Sequence, residues 1–235
     1  MDKASTKEIE ARFDNDVATF SNLSTGQSAL IDAPLLLEVT TEAARRIAPN
    51  ASRLLDIGCG AGNFTLKMLE KLPNVHCTLV DLSARMLERA VERVSQVSQA
   101  DVEAIHGDLR TVELPTGSFD IILAGAVLHH LRTDDDWQST FRRLYSLLRP
   151  GGCLLVSDLV LQDVPELNKY AWERFAAHLD DLGGEAYRKE HLKAVEREDT
   201  PRSLLYQLRL MLRVGFAQVD VIHKNACFAS FCGIK

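Results

Sequence analysis

No stretch of this chain approaches the ~20 consecutive apolar residues that a membrane-spanning helix requires, and the opening run MDKASTKEIEARFDND carries no apolar core of the kind found in secretory leaders. The expectation is a cytoplasmic protein with no membrane partner. Basic excess is also missing. Lys and Arg number 27 against 33 Asp and Glu, for a formal net charge of −6, which argues against wholesale coating of nucleic acid. There is no Cys-x-x-Cys pair. The five cysteines, Cys59, Cys77, Cys153, Cys227 and Cys232, are odd in number, and four stand among apolar, strand-like residues. That usage suits reduced thiols in a core and disfavours a disulfide framework or a structural zinc site. Repeats of fixed period and low-complexity tracts are lacking too, which sets solenoids aside.

What is present is enough chain for one sizeable domain: 235 residues, 46% hydrophobic and 26% charged, close to soluble globular averages. Residues 1–50 read as helices forming part of a cap. Ile9, Phe13, Val17 and Phe20 make one helical stripe, and a second helix is expected over Pro34–Ile47 with Pro34 in its first turn. From 51 to 160 short β-like runs (RLLDIG, HCTLVDL, VEAIHGD, FDIILAGA, GCLLVSDLV) alternate with helix-prone ones. This is the pattern of a mostly parallel sheet covered on both faces. Residues 161–202 read as a helical cap insertion in which YAWERFAAH supplies a core or lid stripe or, alternatively, a substrate-stacking site. Residues 203–235 read as a last core helix closed by Gly215 and a β-hairpin turning across HKN. The run RTDDDW has the form of a helix cap and solvated first turn.

The run LLDIGCGAGNFT places Gly58, Gly60 and Gly62 between a strand and a helix, where bare backbone can approach a polar ligand and helix-end amides are unpaired. Three glycines within five residues have a competing use in tight strand–helix packing. A dinucleotide site would want GxGxxG, but Asn63 stands in place of the third glycine. Asp81 ends the next strand, where a carboxylate can accept both hydroxyls of a ribose. Asp108 follows Gly107 after the third strand, and AVLHHL follows the fourth.

In this order, DIGCGAG, TLVD, HGDLR, FDIILAGAVLHHL and LLRPGG, with the terminal hairpin, resemble the class I S-adenosylmethionine-dependent methyltransferases over about Arg53 to Asp158. The resemblance implies a Rossmann-like, doubly wound seven-stranded α/β sheet, mostly parallel with an antiparallel C-terminal hairpin strand. It implies S-adenosyl-L-methionine as cofactor, S-adenosyl-L-homocysteine as product and a small-molecule methyl acceptor. It further implies that Asp56 lies near the methionine ammonium, that Gly58, Gly60, Gly62 and Asn63 form the cofactor loop and that Asp81 takes the ribose. Asp108 and the Leu109 amide would take the adenine edge, Leu82 and Met86 would flank the purine, and Ala124 would end the fourth strand beside the cofactor.

His129 and His130 are the candidate catalytic residues, since a neutral imidazole can remove a proton as the acceptor attacks. Adjacent histidines in a strand-to-helix turn are expected to point apart and no third ligand is evident, so no metal site is expected. A narrower likeness connects RFDNDVATFSNL, GDLR and the ending VGFAQVDVIHKNACFASFCGIK to carboxy-S-adenosylmethionine synthases, which would link the chain to tRNA wobble-uridine modification. Those enzymes place an arginine where this chain has Leu210, flanked by Arg209 and Arg213. A non-catalytic S-adenosylmethionine-binding protein would carry the same cofactor motifs. Oligomeric state is left open, a homodimer included.

Overall fold

The computed structural model describes residues 3–22 and 28–235. Leu23, the last residue of the N-terminal motif quoted above, lies outside them. In chain order the elements are α1 (Thr6–Asn15), α2 (Val17–Phe20), α3 (Ala33–Ile47), β1 (Arg53–Ile57), α4 (Asn63–Leu69), β2 (His76–Asp81), α5 (Ala84–Ser95), β3 (Val102–His106), β4 (Phe119–Gly125), α6 (Asp134–Leu147), β5 (Leu148–Leu159), α7 (Pro165–Glu198), α8 (Leu204–Val214), β6 (Gln218–Asn225) and β7 (Phe228–Ile234). One turn of 3-10 helix covers Leu128–His130.

The strands form one seven-stranded sheet in the order β3-β2-β1-β4-β5-β7-β6. The first five are parallel to one another, and β7 runs antiparallel between β5 and β6. The apolar runs make this sheet because both of its faces are covered. Leu54, Leu79, Leu123 and Leu155 pack under α3, α4 and α5, while Leu55, Val80, Ile122 and Val156 pack under α6 and α8. Strand order reverses direction between β1 and β4, and in open α/β sheets the crevice at that reversal, outside the carboxyl ends of the strands, receives ligands.

Helix ends follow the sequence signals. Thr133 caps α6 in a reciprocal capping box with Asp136, and Asp134, Asp135 and Asp136 fill its first turn, where carboxylates meet the positive end of the helix dipole. Gly215 ends α8 in the left-handed conformation, at φ 117°.

Two local expectations are corrected. The single N-terminal helix is broken at Asp16 (φ −104°, ψ 11°), whose amide turns back to the Phe13 carbonyl and separates α1 from α2. The hairpin does not turn across HKN. β6 continues through Asn225 and the chain reverses at Ala226, which has φ 49°. His223 and Asn225 stay in the strand because both side chains bond to Asp32 before α3, at 3.0 and 2.8 Å.

Trp137 is fully buried, stacked on Phe141 at 5.9 Å and edge-on to Tyr206 at 6.3 Å. Trp137→Ala is expected to cost about 3–5 kcal/mol in urea unfolding. A loss within about 0.5 kcal/mol, as for a surface substitution, would refute its place at the centre of that layer.

Candidate active site

The loop after β1 begins at Gly58 (φ +61°), where an added Cβ would stand 2.4 Å from the Val127 side chain. Only a residue without a side chain lets the loop after β1 lie against the loop after β4. Gly60 (φ +52°) has no such neighbour. Its amide instead donates to Asp81 Oδ2 at 2.7 Å, and the Ser83 amide donates to Asp81 Oδ1 at 2.8 Å. Gly62 (φ +83°) faces Ala90 and Val94 of α5, at 3.1–3.4 Å from the position its Cβ would take. Its bareness serves helix packing.

Above this loop lies a cavity at the β1/β4 reversal. Asp56, Gly58, Gly60 and Asn63 line one wall, Asp81, Leu82 and Met86 the next, and Gly107 to Arg110 the third. The loop from Gly125 to Val127 and His130 to Arg132 complete it. Ile9 and Phe13 of α1, Phe20 of α2, and Leu30 form an apolar roof. Among the described residues, none of 161–202 lines the cavity, so the insertion after β5 shapes the site only through what it holds.

Of the residues singled out from sequence, the structure brings Asp56, Gly58, Gly60, Asn63, Asp81, Leu82, Met86, Asp108, Leu109 and His130 together around the cavity. Three stand apart. Gly62 turns to α5, Ala124 is buried within β4 between Ile57 of β1 and Val156 of β5, and His129 lies behind the wall. Asn63 does more than line the site. Its Nδ2 donates to the Phe20 carbonyl at 3.1 Å, pinning α2, while Arg93 donates to its Oδ1 at 2.9 Å.

The carboxylates are not equivalent. Asp56 is 1% exposed, and burial raises its pKa to about 7 although Thr65 Oγ1 donates to it at 2.6 Å. Burial also raises Asp81, against the bonds from the Ser83 and Gly60 amides. Burial would raise Asp108 too, but the Arg110 guanidinium at 3.0 Å and the Arg110 amide hold it below the ordinary carboxylate range. A carboxylate has about four acceptor sites, so the ion pair leaves Asp108 capacity for a ligand donor. Burial pushes the Cys59 thiol well above its ordinary range, which keeps it un-ionised.

The histidines do not diverge. Their ring centroids are 4.2 Å apart, because the 3-10 turn and the end of α7 bring both rings to Asp199. His129 Nδ1 bonds to Asp158 Oδ1 at the end of β5, and Asp158 Oδ2 accepts the Leu128 amide at 2.8 Å. His129 Nε2 lies 3.7 Å and His130 Nδ1 3.1 Å from Asp199 Oδ1. Burial disfavours charge on His129, but Asp158 and Asp199 outweigh it and hold its pKa at about 9. His129 is therefore an imidazolium at neutral pH.

The roof is tied to the same corner. Arg12 pairs with Glu198, Arg197 with Glu8, and the Ala4 amide donates to the Arg197 carbonyl at 2.9 Å.

Sequence reasoning missed Phe13 and Phe20 as cavity residues although it found their stripe, since a stripe does not say what it covers. Asp158 had a usable signal, an acidic residue at a parallel strand's carboxyl end like Asp56 and Asp81. Asp199 had none, because only the return of α7 brings it to the histidines.

Residues 54–152 match the family model described as a methyltransferase domain. Among similar proteins, a demethylmenaquinone methyltransferase of Listeria monocytogenes is 27% identical over 189 residues, 78% of each chain. An uncharacterized methyltransferase of Mycobacterium tuberculosis is 35% identical over 119 residues, 51% of this chain and 55% of that protein. The fold is that of an O-methyltransferase family protein from Burkholderia thailandensis, with TM-score 0.69 at 16% identity, covering 96% of this chain and 62% of that one. It is also the fold of human N-acetylserotonin methyltransferase in complex with S-adenosylmethionine, with TM-score 0.62 at 17% identity, covering 98% and 56%. The chain thus spans about three fifths of the length of these solved structures.

Gly58→Ala is expected to destabilise by about 1–3 kcal/mol, from left-handed strain plus the clash with Val127, and Gly60→Ala by about 1 kcal/mol from strain alone. Chemical denaturation of the two variants checks this. The reverse ordering would contradict the close approach of the two loops.

Proposed function

We propose, for a chain built on a class I S-adenosylmethionine-dependent methyltransferase domain, that the cavity holds S-adenosyl-L-methionine and that the methyl group passes to a small-molecule acceptor, leaving S-adenosyl-L-homocysteine. One observation carries this reading: the tips of β1, β2 and β3 deliver Asp56, Asp81 and Asp108 to one crevice, which Gly58 and Gly60 also line. Asp81 is suited to the ribose hydroxyls. Asp108 and the Leu109 amide fit a purine edge, with Leu82 and Met86 against its faces. Asp56, buried and facing the cavity, is suited to the ammonium of the methionine moiety.

Transfer from a sulfonium is an in-line displacement in which the leaving group is already activated. Placing the acceptor within ~3 Å of the methyl, in a site closed to water, supplies much of the acceleration. The apolar roof from Ile9, Phe13, Phe20 and Leu30 is suited to excluding water and to an acceptor of modest size with an apolar body. Of the two histidines His130 is the one in the wall, so proton removal is assigned to it. His129, locked by Asp158 and charged at neutral pH, is assigned to positioning.

The carboxy-S-adenosylmethionine synthase reading finds no support at α8. Leu210 is buried against the sheet, and Arg209 and Arg213 are exposed on the helix, with Arg213 lying over Tyr206. Neither is among the cavity residues. A binding protein without turnover differs from the enzyme only in assay, so incubation with labelled S-adenosylmethionine and a panel of hydroxyl and amine acceptors separates the two. Mass spectrometry of any nucleoside that co-purifies tells an ordinary from a carboxylated sulfonium.

Asp81→Ala is expected to weaken S-adenosylmethionine binding by about one to two orders of magnitude, through loss of roughly 1.5–3 kcal/mol of charged hydrogen bonding. Unchanged calorimetric affinity would remove Asp81 from the site.

Affinity is also expected to depend on pH through Asp56. Its pKa near 7 in the free protein means that below pH 7 the carboxyl is protonated and must lose its proton to meet an ammonium. Binding therefore weakens by up to about tenfold per unit of acidification below 7, with release of a proton. Calorimetry at pH 6 in buffers of different ionisation enthalpy reads that proton. No proton release would contradict the pairing.

A further inference from the structure

We propose that His129, His130 and Asp199 bind a divalent transition-metal ion of the zinc class beside the cavity, with Asp158 as the outer carboxylate that orients His129. One donor atom from each of His129, His130 and Asp199 lies within 4.8 Å of the others; the nitrogens nearest Asp199 Oδ1 are His129 Nε2 and His130 Nδ1, and these are the donors assigned. Asp199 Oδ1 stands 3.1 Å from one nitrogen and 3.7 Å from the other. In a tetrahedral site with metal–ligand bonds near 2.0–2.1 Å, neighbouring donors sit about 3.3 Å apart, so an ion is accommodated by small side-chain shifts.

Three features distinguish this corner from an ordinary ion-pair cluster. Asp199 Oδ1 is buried and is held by ion-pair contacts, 3.1 Å from His130 Nδ1 and 3.7 Å from His129 Nε2, without a well-formed hydrogen bond. A buried carboxylate oxygen satisfied only in this loose way has room for a closer partner. Second, His129 Nδ1 is bound to the carboxylate of Asp158, which is itself fixed by the amides of Leu128 and Leu159 at 2.8 and 2.7 Å. That is the outer-shell arrangement which fixes the tautomer of a metal-binding histidine and leaves Nε2 free for the ion. Third, the charges balance once the ion displaces the proton His129 otherwise carries: Asp158 and Asp199 then contribute two negative charges, the two imidazoles none, and the neighbouring Arg12 is matched by Glu198.

His130 Nδ1 also lies 3.4 Å from the Glu198 carbonyl, a contact the ion would replace. Three protein donors leave a fourth position, the pattern of catalytic zinc sites. His130 is shared with the cavity wall, so with the ion bound a hydroxyl acceptor there can complete the coordination and give up its proton to solvent water or buffer more readily, the ion taking over the proton removal assigned above to His130. This deepens the methyl-transfer reading and shares with it His130 and the positioning pair His129 and Asp158, and it is tested without sulfonium or acceptor.

The full chain is stripped with a chelator, dialysed and titrated with ZnCl2 by calorimetry, with elemental analysis after gel filtration. The expected result is saturable uptake of one ion per chain. His130→Ala, Asp199→Asn and Asp158→Asn should each lower affinity by about 10–100-fold, while His76→Ala, at an exposed position outside the cluster, leaves it unchanged. Absence of saturable uptake overturns the proposal, as does uptake that persists in both His130→Ala and Asp199→Asn, which would place the ion elsewhere. Should a variant fail to fold, imidazole NMR of the wild-type protein decides. Zinc must shift the signals of His129 and His130 and spare His76, and unmoved His129 and His130 signals at saturation overturn the site. Failure here leaves cofactor binding standing, and failure of the Asp81 test leaves the metal site standing.

Discussion

The hydrogen bond from the Gly60 amide to the Asp81 carboxylate joins the tips of two parallel strands, and the architecture of the site follows from it. The bond requires the loop after β1 to fold back in left-handed backbone, which only glycine adopts at little cost. The same folding lets Gly58 approach Val127, which brings the loops after β1 and β4 together across the reversal of strand order. Depth for a ligand comes from this contact between main chain and side chain. The surrounding apolar layers hold the strands in register but do not by themselves open a crevice.

Burial at these tips has a second effect. Asp56 and Asp81 sit where water is scarce, so each resists ionisation until something compensates: amides for Asp81, the Thr65 hydroxyl in part for Asp56. Asp108 solves the same problem with an arginine two residues along the chain. Three carboxylates with the same sequence signature, each at a strand's end, thus have three different electrostatic settings.

How much of this was legible in the sequence depended on whether the determining contact was local. Strand and helix order, the caps at Thr133 and Gly215, and the convergence of Asp56, Asp81 and Asp108 are all fixed by neighbours in sequence or by the regularity of a parallel sheet. Gly62 and Ala124 stand apart from the cavity lining, and chain position does not distinguish a glycine facing a ligand from one facing a helix, or a strand's last exposed residue from its last buried one. The histidines were expected to diverge because a turn considered alone separates adjacent side chains. What draws them together is Asp199, delivered by a 34-residue helix kinked at Gly184, and no local pattern encodes its return. The hairpin turn was displaced for a similar reason, since His223 and Asn225 are satisfied by Asp32, which is remote in the chain.

The way the roof is fastened sets it apart from the rest of the molecule. α1 is held over the cavity by its buried Ile9, by Ser83 Oγ donating to Asp14, and by charges at the rim, Arg12 on Glu198 and Arg197 on Glu8, the second pair about half exposed on each side. Attractions of that kind fade as dissolved electrolyte screens them, within about 10 Å at 0.1 M, whereas the apolar layers clamping the sheet do not. Dissolved electrolyte thus bears on the exposed part of the roof's fastening and leaves the apolar layers of the frame as they are.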